Sequence, residues 1–180
     1  MIAQDFEVVD CGSDEKVIKK AAALLRAQQC EIIGIVLDAD NPNLLGKWMS
    51  LRDRLQKLGV KLPNAPDPNG TVVEGTTDHP RIGAWLMPNN SIDGMLEDFC
   101  ASIAHPESFA FASKCVDDAK ASGHTKFKSS HLTKAQVHTY LAWQDEPGKP
   151  LGQSITALAL DPKHELARTF AEWMKRLFRP

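Results

Sequence analysis

At 180 residues, with 24 % charged and 43 % hydrophobic side chains, the chain can bury one sizeable core, and its length predicts a single domain over residues 1–180. Lys and Arg total 21 against 23 Asp and Glu, a net charge of −2, which excludes an overall basic field that holds nucleic acid indiscriminately. The longest strongly apolar run, Ile32 to Leu37, falls far short of the roughly 20 residues of a bilayer span. The first residues show neither a basic stretch nor an apolar one, so the expectation is a cytoplasmic protein with no membrane partner. Cys11, Cys30, Cys100 and Cys115 form no C-x-x-C pair and are too few for a disulfide scaffold. They read as reduced thiols, mostly in the core.

Phe6 to Asp10 is a short apolar run ending at the turn residues Cys11-Gly12-Ser13, the pattern of a strand. Val17, Ile18, Ala21, Ala22, Leu24 and Leu25 then recur at helical spacing behind a Ser13/Asp14 cap region, predicting a helix to about Gln29. Glu31 to Leu37 is apolar without alternation, as in a strand buried on both faces of a parallel sheet. A second helix carries Leu44, Trp48, Leu51, Leu55 and Leu58 on one face and stops at Gly59. Pro63 to Gly70 reads as a loop, Thr71–Glu74 and Arg81–Met87 as paired strands, and Pro88 to Gly94 as a turn-rich loop. Met95 opens a helix that ends before Pro106.

Beyond it, helices are predicted over Pro106–Ala121, Thr133–Trp143 and Ile155–Leu160. A terminal helix behind Asp161-Pro162 carries an apolar stripe of Leu166, Phe170, Trp173, Met174 and Leu177. The expected architecture is a three-layer α/β fold, Rossmann-like in its mainly parallel sheet of Phe6–Asp10, Glu31–Leu37 and Arg81–Met87. Residues 1–104 form the sheet-bearing half, and residues 105–180 a helix-rich half on the same core.

Asp38 and Asp40 stand at i and i+2 where a buried strand gives way to a loop, and open parallel sheets bind ligands outside the carboxyl ends of their strands. Strand alternation sends i and i+2 to one side, and two such carboxylates repel unless a cation such as Mg²⁺ or Mn²⁺ lies between them. The alternative is a turn in which both aspartates cap backbone amides around Asn41-Pro42. A haloacid-dehalogenase-like phosphatase wants Thr or Val where this chain has Pro42, and a nucleotide-sugar glycosyltransferase needs a longer acceptor region.

The series Glu31-Ile-Ile-Gly-Ile-Val-Leu-Asp-Ala-Asp40, Lys47-Trp48, Pro66-Asp-Pro-Asn-Gly70, Gly83-Ala-Trp-Leu-Met-Pro-Asn-Asn90 and Gly94-Met-Leu-Glu-Asp-Phe99 resembles a prokaryotic family of unassigned function related to the Toprim domain. The resemblance runs from Phe6 to about Trp173. Toprim domains occur in topoisomerases, primases and the overcoming-lysogenization-defect nucleases, where a glutamate after the first strand and a later Asp-x-Asp hold divalent metal for phosphodiester chemistry. The resemblance therefore implies Mg²⁺- or Mn²⁺-dependent, nuclease-like chemistry on nucleic acid, with Asp38 and Asp40 as ligands and Glu97 or the weaker candidate Asp98 adding an acid. The rival expectation is a non-catalytic binding or regulatory module whose metal site is incomplete. Glu97 also reads as an ordinary first-turn carboxylate on the helix dipole.

Only one strand and one helix precede the Asp-x-Asp strand, so the glutamate-bearing first strand of a Toprim domain is expected to be missing from residues 1–180. In the other register, Asp10-Cys-Gly-Ser-Asp14 fills its place with Asp10 for the glutamate. A missing strand leaves an open edge beside Asp38, with either a homodimer covering it or a longer chain supplying it as the expectations.

His124, His131 and His138 are seven apart, but Gly123 and Thr133 break the helix that could group them, so they read as surface groups rather than a zinc site. No Gly-x-Ser-x-Gly elbow, Walker loop or dinucleotide fingerprint is present. Lys114, Lys120, Lys126, Lys128, His131 and Lys134 lead toward Tyr140 and Trp143, a region that suits either phosphate contact or a solvated face. Trp48, Trp85, Trp143 and Trp173 fall on apolar faces and are expected in the core.

Overall fold

A computed structural model describes residues 6–40 and 43–178. Their elements, in chain order, are α1 (Asp14–Ala27), β1 (Ile32–Asp38), α2 (Leu44–Gln56), β2 (Thr71–Val73), β3 (Arg81–Met87), α3 (Leu96–Ser102), α4 (Pro106–Ala121), α5 (Leu132–Leu141) and α6 (Glu165–Phe178). The fold is mixed α/β. The sheet has the order β1-β3-β2, with β1 and β3 parallel from Ile32↔Arg81 to Asp38↔Met87, and β2 antiparallel to β3.

The expected strand Phe6–Asp10 does not form, and the sheet is a small mixed one rather than mainly parallel. A run of β-branched residues becomes a strand only beside a ladder that takes its amides and carbonyls. Here Phe6 stacks its ring on Phe178 with centroids 4.6 Å apart, while Val8 and Val9 stay exposed. Among the described residues the outer edge of β1 carries no paired strand.

Alternation along the central strand serves two cores. Ile82, Ala84 and Leu86 join Ile33, Ile35 and Leu37 of β1, Ile18 and Leu25 of α1, and Trp48, Leu51 and Leu55 of α2. Trp85 and Met87 join Phe99, Tyr140, Trp173 and Leu177. The edge strand β1 is buried on one face only, a second departure from expectation, with Gly34 exposed and Val36 39 % exposed. On that face α6 reaches only the start of β1, where a Cβ at Gly34 would meet the Leu177 Cδ2 methyl at 3.2 Å.

Local chemistry sets the element ends. Asn43 caps α2 by accepting the Gly46 amide at 3.0 Å, and Gly59 stops the turn after it at φ +87°. The turn expected at Asn41-Pro42 lies outside the described residues. Trp48 Nε1 donates to the Pro63 carbonyl at 3.0 Å, pinning the proline-rich loop to α2.

In the helical half α4 spans the residues expected of it, but Ile155–Leu160 is a series of turns. Leu158 takes φ +59°, and the Ala159 and Leu160 amides both donate to the Ser154 carbonyl. That turn drops Leu160 into the core and presents the Ala159 carbonyl to the Tyr140 hydroxyl at 2.6 Å, so tertiary packing overrides helical periodicity. Trp143 departs too: it is 49 % exposed and lies against exposed Phe111, ring centroids 5.7 Å apart. Of the cysteines only Cys100 is fully buried. Burial, with the Glu97 charge adding to it, pushes its thiol up to about 12, which makes it unreactive.

Candidate site at the carboxyl ends of the parallel strands

Pairing of β1 with β3 puts Asp38 beside Met87, so both strands give way to loops at one end of the sheet. The loops are stitched together there. Ala39 donates its amide to the Met87 carbonyl at 3.2 Å, and Asp40 and Gly94 exchange backbone bonds at 2.9 Å each way. Asp93 Oδ1 accepts the Leu44 amide at 2.7 Å, tying the β3–α3 loop to the start of α2. Three helix N-termini, those of α1, α2 and α3, thus stand around Asp38 and Asp40, where helix dipoles favour carboxylates.

Asp38 is half-buried, and its Oδ1 accepts the Leu96 amide at 2.9 Å. Burial raises its pKa above the ordinary value, with the charges of Glu97, Asp14 and Asp40 adding to the rise and the Leu96 bond opposing it. Asp40 leaves the strand in the left-handed region at φ +60° and turns Oδ2 to Lys47 Nζ at 2.6 Å. The backbone turn breaks the alternation that would aim both aspartates at one ion. Lys47 also pairs with Asp14 in the first turn of α1. Burial works against this ammonium, but its hydrogen bonds and charge pairs with Asp14 and Asp40 outweigh that and hold its pKa above the ordinary lysine value.

Glu97, on α3, is 8 % exposed and pairs with Lys134 of α5 at 3.0 Å. Asp98 accepts the Met95 amide at 2.8 Å and acts as a helix cap. Asp10 accepts the Gly12 amide at 2.8 Å in the exposed segment ahead of α1. The residues drawn together are thus Asp38, Asp40, Glu97 and, missed by sequence reasoning, Asp14, Lys47 and Lys134 as their neighbours and counter-charges. Among the described residues no three Asp, Glu, His or Cys side chains are grouped to hold a metal ion.

This charge arrangement has a measurable consequence. Because the folded pKa of Asp38 lies above the unfolded value, the folded chain holds more proton between the two, and stability falls as pH rises through that window. Asp38→Asn keeps an acceptor for Leu96 and removes the buried charge. Its expected effect is a gain in stability near neutral pH that vanishes below about pH 4, the ordinary aspartate value, in urea denaturation. A loss of stability at neutral pH would show that ionised Asp38 is a favourable partner rather than a crowded charge.

The described concavities lie elsewhere. An open groove of about 660 Å³ runs along α6 past Arg168 and Arg176, and one of about 410 Å³ sits beside Trp143 and Leu158. Neither touches the carboxylates at the strand ends. Among the described residues no helix is long and apolar enough to cross a membrane. Comparison with curated proteins and with solved structures finds no match. A family model described as Protein of unknown function (DUF3226) matches residues 1–179, and the chain belongs to that family.

Proposed function

We propose that the chain is a Toprim-like, three-layer nucleic-acid-binding module whose strand-end acids serve charge balance and loop order rather than phosphodiester cleavage. The observation that carries this reading is that each of those acids already has a partner: Asp38 holds the Leu96 amide, Asp14 and Asp40 hold Lys47, and Glu97 holds Lys134. A hard divalent cation wants about six oxygens, and the donors as arranged do not fit one. Lys47 supplies the positive charge that the carboxylates need.

The second reading is Mg²⁺- or Mn²⁺-dependent cleavage with Asp38, Asp40 and Glu97 as ligands. One observation favours it: the charges of Glu97, Asp14 and Asp40 all act on Asp38. The two readings separate in an assay that follows labelled single- and double-stranded DNA and RNA with Mg²⁺, with Mn²⁺ and with chelator. Binding without cleavage in all three is expected. Cleavage that needs the cation and disappears in Asp38→Asn and Glu97→Gln would overturn the binding reading.

A further inference from the structure

Between Asp118 and Asp145 the chain contains no Asp or Glu, while Lys120, Lys126, Lys128 and Lys134 stand within it. In a chain of net charge −2 this is a local reversal of sign. The segment covers the end of α4, the connection to α5, and the first turns of α5. All four lysines are exposed. Lys126 and Lys128 have no carboxylate partner among the described residues, and Lys120 reaches only the Ser129 hydroxyl at 3.4 Å. The carboxylates closest in sequence are occupied, Asp118 by Lys114 at 2.7 Å and Asp117 by the Gln136 side chain at 3.5 Å. One end of the segment is fixed to the candidate site, because Lys134 pairs with Glu97, whose charge in turn reaches Asp38.

We infer that this segment is a phosphate-binding strip that lays a nucleic-acid backbone across the α4–α5 connection toward the carboxyl ends of β1 and β3. The inference rests on the binding reading above and names where that binding occurs. Charge complementarity selects the occupant, since unpaired lysines release counterions when a polyphosphate chain replaces them. An anionic membrane is the weaker occupant, because membrane-surface segments set large apolar side chains among their cations. No exposed large hydrophobic residue lies between Phe111 and Trp143. Phe127 is only partly exposed.

The test is fluorescence anisotropy of labelled single-stranded DNA and RNA against the full chain over a salt series, with phosphatidylglycerol vesicles in a parallel sedimentation assay. Contacts from the three lysines without a carboxylate partner, Lys120, Lys126 and Lys128, give an expected log–log salt slope of about −2 on a single strand, and Lys126→Glu with Lys128→Glu cuts the slope by about two thirds and weakens binding about tenfold or more. Lys126→Ala with Lys128→Ala produces the same change in smaller degree. Lys16→Glu with Lys20→Glu, exposed on α1, carries the same charge change and leaves the slope intact. Binding that survives reversal of Lys126 and Lys128 overturns the strip while leaving the binding reading standing. Failure of the unaltered chain to bind any oligonucleotide overturns both, and binding to vesicles alone assigns the strip to a membrane and overturns it here.

Discussion

Trp173→Ala is expected to destabilise the protein by about 4 kcal/mol, lowering the melting temperature by about 10 °C for a chain of this size. Trp173 is fully buried, packs on Trp85 and Phe170 with ring centroids 5.6 and 5.5 Å away, and donates Nε1 to the Thr71 carbonyl at 3.0 Å. Truncation therefore leaves a large cavity and removes the indole hydrogen bond to the Thr71 carbonyl, and both contribute to the loss. Trp143→Ala supplies the comparison. Its ring is 49 % exposed and packs on exposed Phe111, so the expected cost is about 1 kcal/mol or less. Equal losses from the two substitutions, measured by urea unfolding, would contradict the packing described for the second core.

Gly70→Ala attacks the same contact from the other side. Gly70 sits at φ +86°, and a Cβ there would overlap the Trp173 indole and lie 2.8 Å from the Trp173 Cβ, an atom that cannot move without shifting α6. Backbone strain and overlap together should cost about 3 kcal/mol or more. Gly123 offers an internal control at φ +76° with nothing within 4 Å of a built Cβ, so Gly123→Ala should cost only about 1 kcal/mol. If circular-dichroism melts show the two glycine variants falling together, the overlap at Gly70 is not what the geometry indicates.

Much of this architecture is visible in the periodicity of the sequence. The apolar spacing of Val17 to Leu25, Leu44 to Leu55 and Leu166 to Leu177 marks α1, α2 and α6, because a helix face that must be buried repeats every three to four residues. Arg81–Met87 is legible as a strand for its apolar content, and its pairing with Thr71–Val73 follows from the short turn-rich link between them. The failures share one physical cause. Phe6–Asp10 and Ile155–Leu160 have the local composition of regular elements, but the available partners settle their form: a ring contact with Phe178 for one and the Tyr140 hydroxyl for the other. Trp143 reads as core because its apolar neighbours cannot reveal that α5 ends at the buried Leu141 and the chain turns to solvent just beyond it.

At the candidate site three of the acids are legible, while Asp14 and the ammonium partners are not. Asp38, Asp40 and Glu97 stand out because a strand end and a helix start identify them, whereas Lys47 binds Asp14 across 33 residues of sequence and Lys134 sits 37 residues from Glu97. Spacing along the chain carries no information about such pairs, and they decide the chemistry. Two ammonium groups among four carboxylates convert an expected cation site into an ion-pair network. The network contributes to the direction of both shifts: Asp38 is raised by burial first and by the neighbouring carboxylates second, and Lys47 is held up by its opposite charges against the effect of burial.

The measurement that addresses this most directly is calorimetric titration of Mn²⁺ into the unaltered chain and into Lys47→Ala. If Lys47 already supplies the charge that Asp14 and Asp40 require, the unaltered chain shows no saturable binding at millimolar Mn²⁺, the weak end of the range for oxygen-ligand sites. Removing the ammonium should then expose a weak site that Asp40→Asn abolishes. Tight, saturable Mn²⁺ binding by the unaltered chain, lost in Asp38→Asn and unaffected by Lys47→Ala, would contradict the ion-pair account and restore the strand-end acids as metal ligands.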